Sequence, residues 1–107
     1  MASIVEFLEA RISEDEARNR DMAEMDDDDR GGWAIAYAQR VLAECAVKRA
    51  VIEHAQKASE AEEEFDDYMW RGAGPKREEP WSGDAILFAL AAVYNDHPDY
   101  LQEWANG

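Results

Sequence analysis

The residues of this chain best suited to chemistry are carboxylates one helical turn apart and a histidine-bearing segment near the C-terminus. Glu6/Glu9, Glu63/Asp66 and Glu64/Asp67 repeat at i, i+3, which on a helix sets both carboxylates on one face. Two such pairs facing each other can hold magnesium against a triphosphate. In "NDHPDYLQEW" (Asn95 to Trp104) His97 stands among Asp96, Asp99 and Glu103, donor types that suit a divalent metal. Yet His97 has no second histidine at i+3 or i+4, and His54, midway along the chain, would have to supply it. The carboxylate pairs are a cheap match, because 25 of 107 residues are acidic, and no lysine or arginine is placed to meet phosphate. Cys45 falls on an apolar stripe, where a small buried thiol is the ordinary occupant. The chain is therefore read as having no catalytic residue, no metal and no cofactor.

The C-terminal segment has a structural reading as well. Asp96 can cap a short helix, with His97 and Pro98 in its first turn, where a missing proline N–H is harmless, and Asp99 at the third position, favourable to the helix dipole. Tyr100 and Trp104 are four apart and share a face able to fold back over the rest of the chain. This predicts a short C-terminal capping helix.

Neither sustained period-two alternation nor a glycine-rich phosphate loop occurs, and 19 alanines favour helix. A first helix is expected from Ser3, a good N-cap, to about Met25. It should stop in "DDDDRGG", a solvated turn over about 26–32. The second should span Trp33 to Tyr68, on the order of 50 Å, too long for so small a domain to cover. Its acidic far end must project or find a partner. "RGAGPKREEP" opens a loop over 71–81. The third helix should begin near Ser82 or Gly83 and carry "AILFALAAVY" (Ala85 to Tyr94). Apolar all round, it belongs in the middle of the bundle. The fold class is all-α: one domain over residues 1–107, a three-helix bundle with a long central second helix and a short C-terminal capping helix.

At 100° per residue, Ile4, Leu8, Ile12 and Met22 line the first helix, with Arg11, Asp15 and Asn19 intruding. Ala34, Tyr37, Ala38, Val41, Cys45, Ile52 and Ala55 line the second, with Lys48 inside the stripe and Arg49 on its border. The intruding charges are opposite in sign. Asp15, with Glu14 or Glu16, is therefore expected to pair with Lys48 or Arg49 across the helix interface, because a buried charge needs a partner.

Eleven basic residues against 25 acidic ones give a net charge of −14, which repels phosphate backbones and anionic lipid. Neither nucleic acid nor a membrane is an expected partner; a basic protein is. The single cysteine requires no oxidising compartment, residues 1–12 lack the basic segment of a signal peptide, and the longest apolar run is half a bilayer span. A soluble, cytoplasmic protein is expected. The alanine-rich stripe of the second helix permits close helix approach, so a two-fold homodimer through that helix or the Trp33 region is a further expectation.

Three blocks, "FLEARISEDEAR" (Phe7 to Arg18), "RVLAECAVKRAVIEHA" (Arg40 to Ala55) and "ALAAVYNDHPDYLQEW" (Ala89 to Trp104), together about 40% of the chain, resemble a family of small acidic proteins of actinobacteria and their phages, known only as a domain of unknown function. The family's longer, Trp-containing insert between the first two blocks is here only "DDDDRGG", and Tyr-Ala-Gln precedes "RVL" where the family has Asp-Pro. The resemblance implies no activity. Joined to the charge and the over-long second helix, it leads to a non-enzymatic, phage-borne interaction protein that docks an acidic helical surface on a basic or DNA-binding host protein, with nucleic-acid mimicry as a variant. The alternative is a magnesium-dependent helical nucleotide pyrophosphatase built on the Glu/Asp pairs.

Overall fold

Local chemistry at Ser3 starts the fold. The computed structural model describes residues 3–25, 32–75 and 77–106, so positions 26–31 of the expected acidic turn lie outside the described residues. The Ser3 side chain accepts the Glu6 N–H at 3.1 Å while its hydroxyl donates to the Glu6 carboxylate at 3.3 Å, a reciprocal cap that satisfies an otherwise unpaired amide. From it runs α1 (Ile4–Ala23).

The second helix, α2 (Gly32–Trp70), has 39 residues, about 58 Å at 1.5 Å per residue. It sets the 65 Å long axis of the molecule. It stops where Arg71 and Gly72 take positive φ values of 51° and 79°, a left-handed pair that glycine enters freely and that ends a helix. The third helix, α3 (Ser82–Ala91), has Trp81 at its N-cap, without a side-chain hydrogen bond. Glu62 of α2 does the work instead, accepting the Ser82 N–H at 2.6 Å and the Ser82 hydroxyl at 2.9 Å. Those bonds hold the Glu62 carboxyl below its ordinary range. After α3 come a 3-10 turn (Ala92–Tyr94) and a terminal 3-10 helix (Gln102–Asn106).

Contacts of rising number on α2 with falling number on α1 (Gln39 with Ala23, Cys45 with Ile12) make the two helices antiparallel. Likewise α3 runs back along α2, from Ser82 beside Glu62 to Tyr94 beside Lys48. The core holds Phe7, Leu8 and Ile12 of α1, Cys45, Ile52 and Ala55 of α2, Leu87 and Ala91 of α3, and Tyr100 and Trp104. Small residues on α2 permit the tightest approach, at Gly83. A Cβ built there would lie 1.7 Å from the Ala55 carbonyl oxygen.

The architecture is the expected all-α three-helix arrangement with a long central helix and a short C-terminal helix packed on it. Three details differ. Instead of sitting mid-bundle, α3 buries only Gly83, Leu87 and Ala91, while Ile86, along with Val93 just beyond its end, is exposed. The helix lies on α2 with α1 and the C-terminal turns beside it, and among the described residues no element covers its remaining side. Tyr37, placed on the core stripe, is 62% exposed, and Ile35 is buried in its stead. Met22 is also exposed, and Phe7 is the α1 side chain that the stripe omitted. Met22 lies near the end of α1, whereas Tyr37, between the buried Ile35 and Ala38, lies on another side of α2 from the covered one. No helix among the described residues is long and apolar enough to cross a membrane.

Candidate functional site

Two regions concentrate the polar side chains. The first lies where α1, α2 and the C-terminal turns meet. Asp15 faces neither Lys48 nor Arg49 directly. The Tyr94 hydroxyl donates to the Asp15 carboxylate at 3.0 Å and accepts from the Lys48 ammonium at 3.0 Å, so one phenol bridges the two charges. Arg18, one turn along α1, also closes on Asp15. Arg49 instead grips Glu16 at 2.7 Å and the Ser13 hydroxyl at 3.0 Å. Of the expected pairings across the helix interface, Glu16 with Arg49 forms directly, whereas that of Asp15 is replaced by an Asp15–Tyr94–Lys48 bridge, because Tyr94 fills the space between the α1 carboxylate and the α2 amine.

The electrostatics follow the contacts. Burial alone would lower the Lys48 pKa, but the Tyr94 hydroxyl and the Asp15 charge outweigh it and raise it. Burial pushes the Tyr94 phenol up, as does its bond to Asp15, against the opposing Lys48 charge. For Glu16 the Arg49 hydrogen bond lowers the pKa below its ordinary 4.5. Removing the bridge in Tyr94→Phe is expected to destabilise the fold by about 1–3 kcal/mol, the usual cost of stranding half-buried polar partners, read as a lower urea midpoint at unchanged slope.

A pH dependence follows from Glu16. A depressed folded-state pKa contributes stability that is fully present above the unfolded value and lost as pH falls through the folded one. The stability difference between the wild type and Glu16→Gln is therefore expected to be largest at neutral pH and to vanish below the Glu16 titration, measured by urea unfolding at stepped pH. Taking the difference removes the general relief of repulsion as the other carboxylates protonate.

The residues Asp96, His97, Pro98, Asp99, Tyr100 and Trp104 do not form the expected helix starting at Asp96. The chain instead makes successive tight turns, with His97 N–H on the Tyr94 carbonyl and Tyr100 N–H on the His97 carbonyl, both at 3.0 Å, and turns helical only at Gln102. A residue before proline is disfavoured in the α conformation, which sets His97 against a helix there. Tyr100 and Trp104 nevertheless meet, with ring centroids 5.5 Å apart, and both pack on Phe7, Trp104 at 5.0 Å. Phe7 is their hub; it also takes the edge of His97. The His97 Nδ1 accepts the Asp99 N–H at 3.0 Å, and the Arg11 guanidinium lies beside the imidazole edge, 2.8 Å from Nδ1 and 2.6 Å from Nε2. Glu14 lies 2.7 Å from the Arg11 Nε, a charge contact off the N–H axis. Phe7 and Tyr94 are the members of this clamp that sequence reasoning did not single out; Arg11, which intrudes on the α1 stripe, stands at i, i+4 from Phe7, and that spacing is the local signal.

The Cys45 thiol is pushed up by burial and then by the Asp15 charge, so little reactive thiolate forms. Among the described residues no group of three or more His, Cys, Asp or Glu side chains converges on a metal-sized point. The candidate carboxylate pairs are separated. Glu9 lies on the α1 stretch that precedes Ile12, alongside α2 beyond Cys45, whereas Glu63 and Asp66 lie on the overhanging end, more than a helical turn further along.

That overhang is the second region. Glu60, Glu63, Glu64, Asp66 and Asp67 line an open groove of about 700 Å³ together with Trp70, the 72–75 turn and Trp81. The Arg77 guanidinium stacks on Trp81, 4.1 Å from the ring centroid, which fixes that wall. The groove can receive a cation-bearing chain, with indole flanks for its aliphatic parts.

Residues 1–106 match a single family description across the whole fold. The chain belongs to DUF6221, a family of unknown function. No curated protein and no solved structure matches it. The DUF6221 match spans all three helices and the C-terminal turns, so the Phe7 clamp and the acidic groove both lie within the family region. The reading of the three sequence blocks as an uncharacterised family holds at that level.

Proposed function

We propose that this DUF6221 protein is a non-enzymatic docking protein that presents the acidic groove of distal α2 to a basic partner. The observation that carries this reading is the overhang itself. Beyond Glu62, α2 continues for two turns with no other helix of the described residues laid on it, and those turns carry four carboxylates beside Trp70 and Trp81. A helix segment retained without intramolecular burial is supported by what it binds. Charge favours a basic partner through faster encounter and rejection of wrong ones.

The finer reading follows from the sequence resemblance: a phage-borne protein acting on a basic or DNA-binding protein of an actinobacterial host. Carboxylates about one helical turn apart also approach phosphate spacing, which supports nucleic-acid mimicry as its variant.

The test compares the wild type with the triple variant Glu63→Lys/Asp66→Lys/Asp67→Lys in affinity capture from a host lysate. A protein held by the wild type at low salt, released as salt rises and not held by the triple variant is the expected result. Identical capture by both proteins, or none, would overturn the reading.

A further inference from the structure

We propose that the outer face of α2 is the seam of an antiparallel two-fold homodimer. The positions 33, 37, 40, 44, 47, 51, 54, 58, 61, 65 and 68 follow each other in strict alternation of four and three along α2. That spacing is the signature of a helix meeting another helix in knobs-into-holes packing. All but Arg40, Glu44 and His54 are apolar. The face is largely open: Trp33, Tyr37, Val47, Phe65 and Tyr68 are each 62% to 80% exposed, while Val51 and Ala58 along its middle are half-buried. On the overhang the seam residues Ala61, Phe65 and Tyr68 sit on the side away from Glu63, Asp66 and Trp70, and Glu64 marks the border between this surface and the acidic groove.

The amount of surface fits a second copy. With ~150–250 Å² per aromatic side chain, the exposed parts of Trp33, Tyr37 and Phe65 come to roughly 400 Å² per chain, against ~800 Å² per partner in a standard interface. Val47, Val51, Ala58 and Ala61 supply part of the remainder.

The sequence of the seam is complementary to itself when reversed. Antiparallel pairing sets Trp33 on the partner's Phe65, Tyr37 on the partner's Ala61, and Arg40 on the partner's Ala58, a large side chain on a small or flat one each time. Glu44 meets the partner's His54, and Val47 meets the partner's Val51 beside the two-fold axis. In a two-fold interface every such pair occurs twice. A parallel arrangement instead sets Arg40 on Arg40 and Glu44 on Glu44, and brings the two acidic overhangs side by side. The antiparallel one removes both of those like-charge contacts. They and side-chain volume select that orientation.

Sedimentation equilibrium of the wild type in the micromolar range is expected to give twice the 12.2 kDa chain mass. Val47→Glu/Phe65→Glu, which places unpaired charge in the seam, is expected to weaken the dimer about 100-fold or more while leaving the far-UV helical signal unchanged, since both side chains are on the outside of the monomer. Orientation is read by disulfide trapping: Tyr37→Cys/Ala61→Cys is expected to give a covalent dimer on a non-reducing gel, and either single variant is not. The two positions are about 36 Å apart along one helix, so they cannot join within a chain, and Cys45 is buried. A wild type that stays at 12.2 kDa overturns the proposal and leaves the face to another protein. A glutamate pair that leaves the mass unchanged, or covalent dimer from Tyr37→Cys alone, overturns it too. The lysine triple variant of the groove should still dimerise, so failure of partner capture and failure of dimerisation are distinguishable.

Discussion

Replacing Trp104 with alanine is expected to destabilise the protein by about 3–5 kcal/mol, the range for truncating a large buried aromatic. Trp104 is 7% exposed and packs on Phe7 and Tyr100. No secondary-structure ladder ties residues 95–101 to the bundle. They are held by isolated turns and by these rings, so the cavity left by Trp104 releases the segment as a whole. His97 would then leave Arg11, and Tyr94 would lose support for its bridge to Asp15 and Lys48. With a total stability of about 5–15 kcal/mol for a domain of this size, such a loss brings the fold near its limit. Urea unfolding measures the change. Tryptophan fluorescence adds a local reading, because Trp33 and Trp70 are half to fully exposed and Trp104 is the buried indole. Its removal should leave a red-shifted spectrum. A loss below about 1 kcal/mol, within the ordinary range for surface changes, would mean that the C-terminal wrap contributes little to the core.

Gly83→Ala is expected to destabilise by about 2–3 kcal/mol, and its sign is the informative part. In a free helix the change would stabilise by about 1 kcal/mol, since alanine has the higher helix propensity. Here the added methyl would lie 1.7 Å from the Ala55 carbonyl oxygen and 2.5 Å from the Ser59 hydroxyl. The nearer atom is backbone, and it cannot rotate away, so α3 must withdraw from α2. Withdrawal stretches the Ser59–Asp84 bond of 3.0 Å and the Glu62 contacts to Ser82. Overpacking of this kind costs about 1–3 kcal/mol and occasionally more. Because the obstacle is a carbonyl, Ser59→Ala should not rescue the variant. Thermal unfolding of Gly83→Ala with and without Ser59→Ala checks both statements, and a gain in stability for Gly83→Ala would show that the helices are not in the close contact described.

The start of α1 and the end of α2 were legible because their signals are short-range. Ser3 caps an amide three residues away, and the Gly-Ala-Gly-Pro turn interrupts a helix whatever surrounds it. The over-long α2 was legible from the lack of proline and glycine after Gly32, and it fits the 65 Å axis of the molecule. The intrusion of Asp15 and Lys48 on apolar stripes marked the right neighbourhood for a polar contact. Its form was not legible, since the Tyr94 hydroxyl that joins them is 79 residues from Asp15 and no spacing rule reaches so far. The helix expected at Asp96 failed for a related reason. Capping preference is worth about 1 kcal/mol, less than seating two aromatic rings around Phe7.

By itself, then, the sequence determined the helical class, the element order, the length of α2 and the sign of the molecular field, all of which depend on neighbours within a turn or two or on composition. The tertiary structure decided which face of α3 is covered, that Tyr37 points outward, that Glu62 caps a helix other than its own, and that Arg49 pairs with Glu16 and not Asp15. These turn on distances between residues remote in the chain. The covered face of α3 follows from how closely Gly83 and Ala55 let two helices approach, and the others from packing of α1 on α2, sums over many weak contacts that no single stretch of sequence contains.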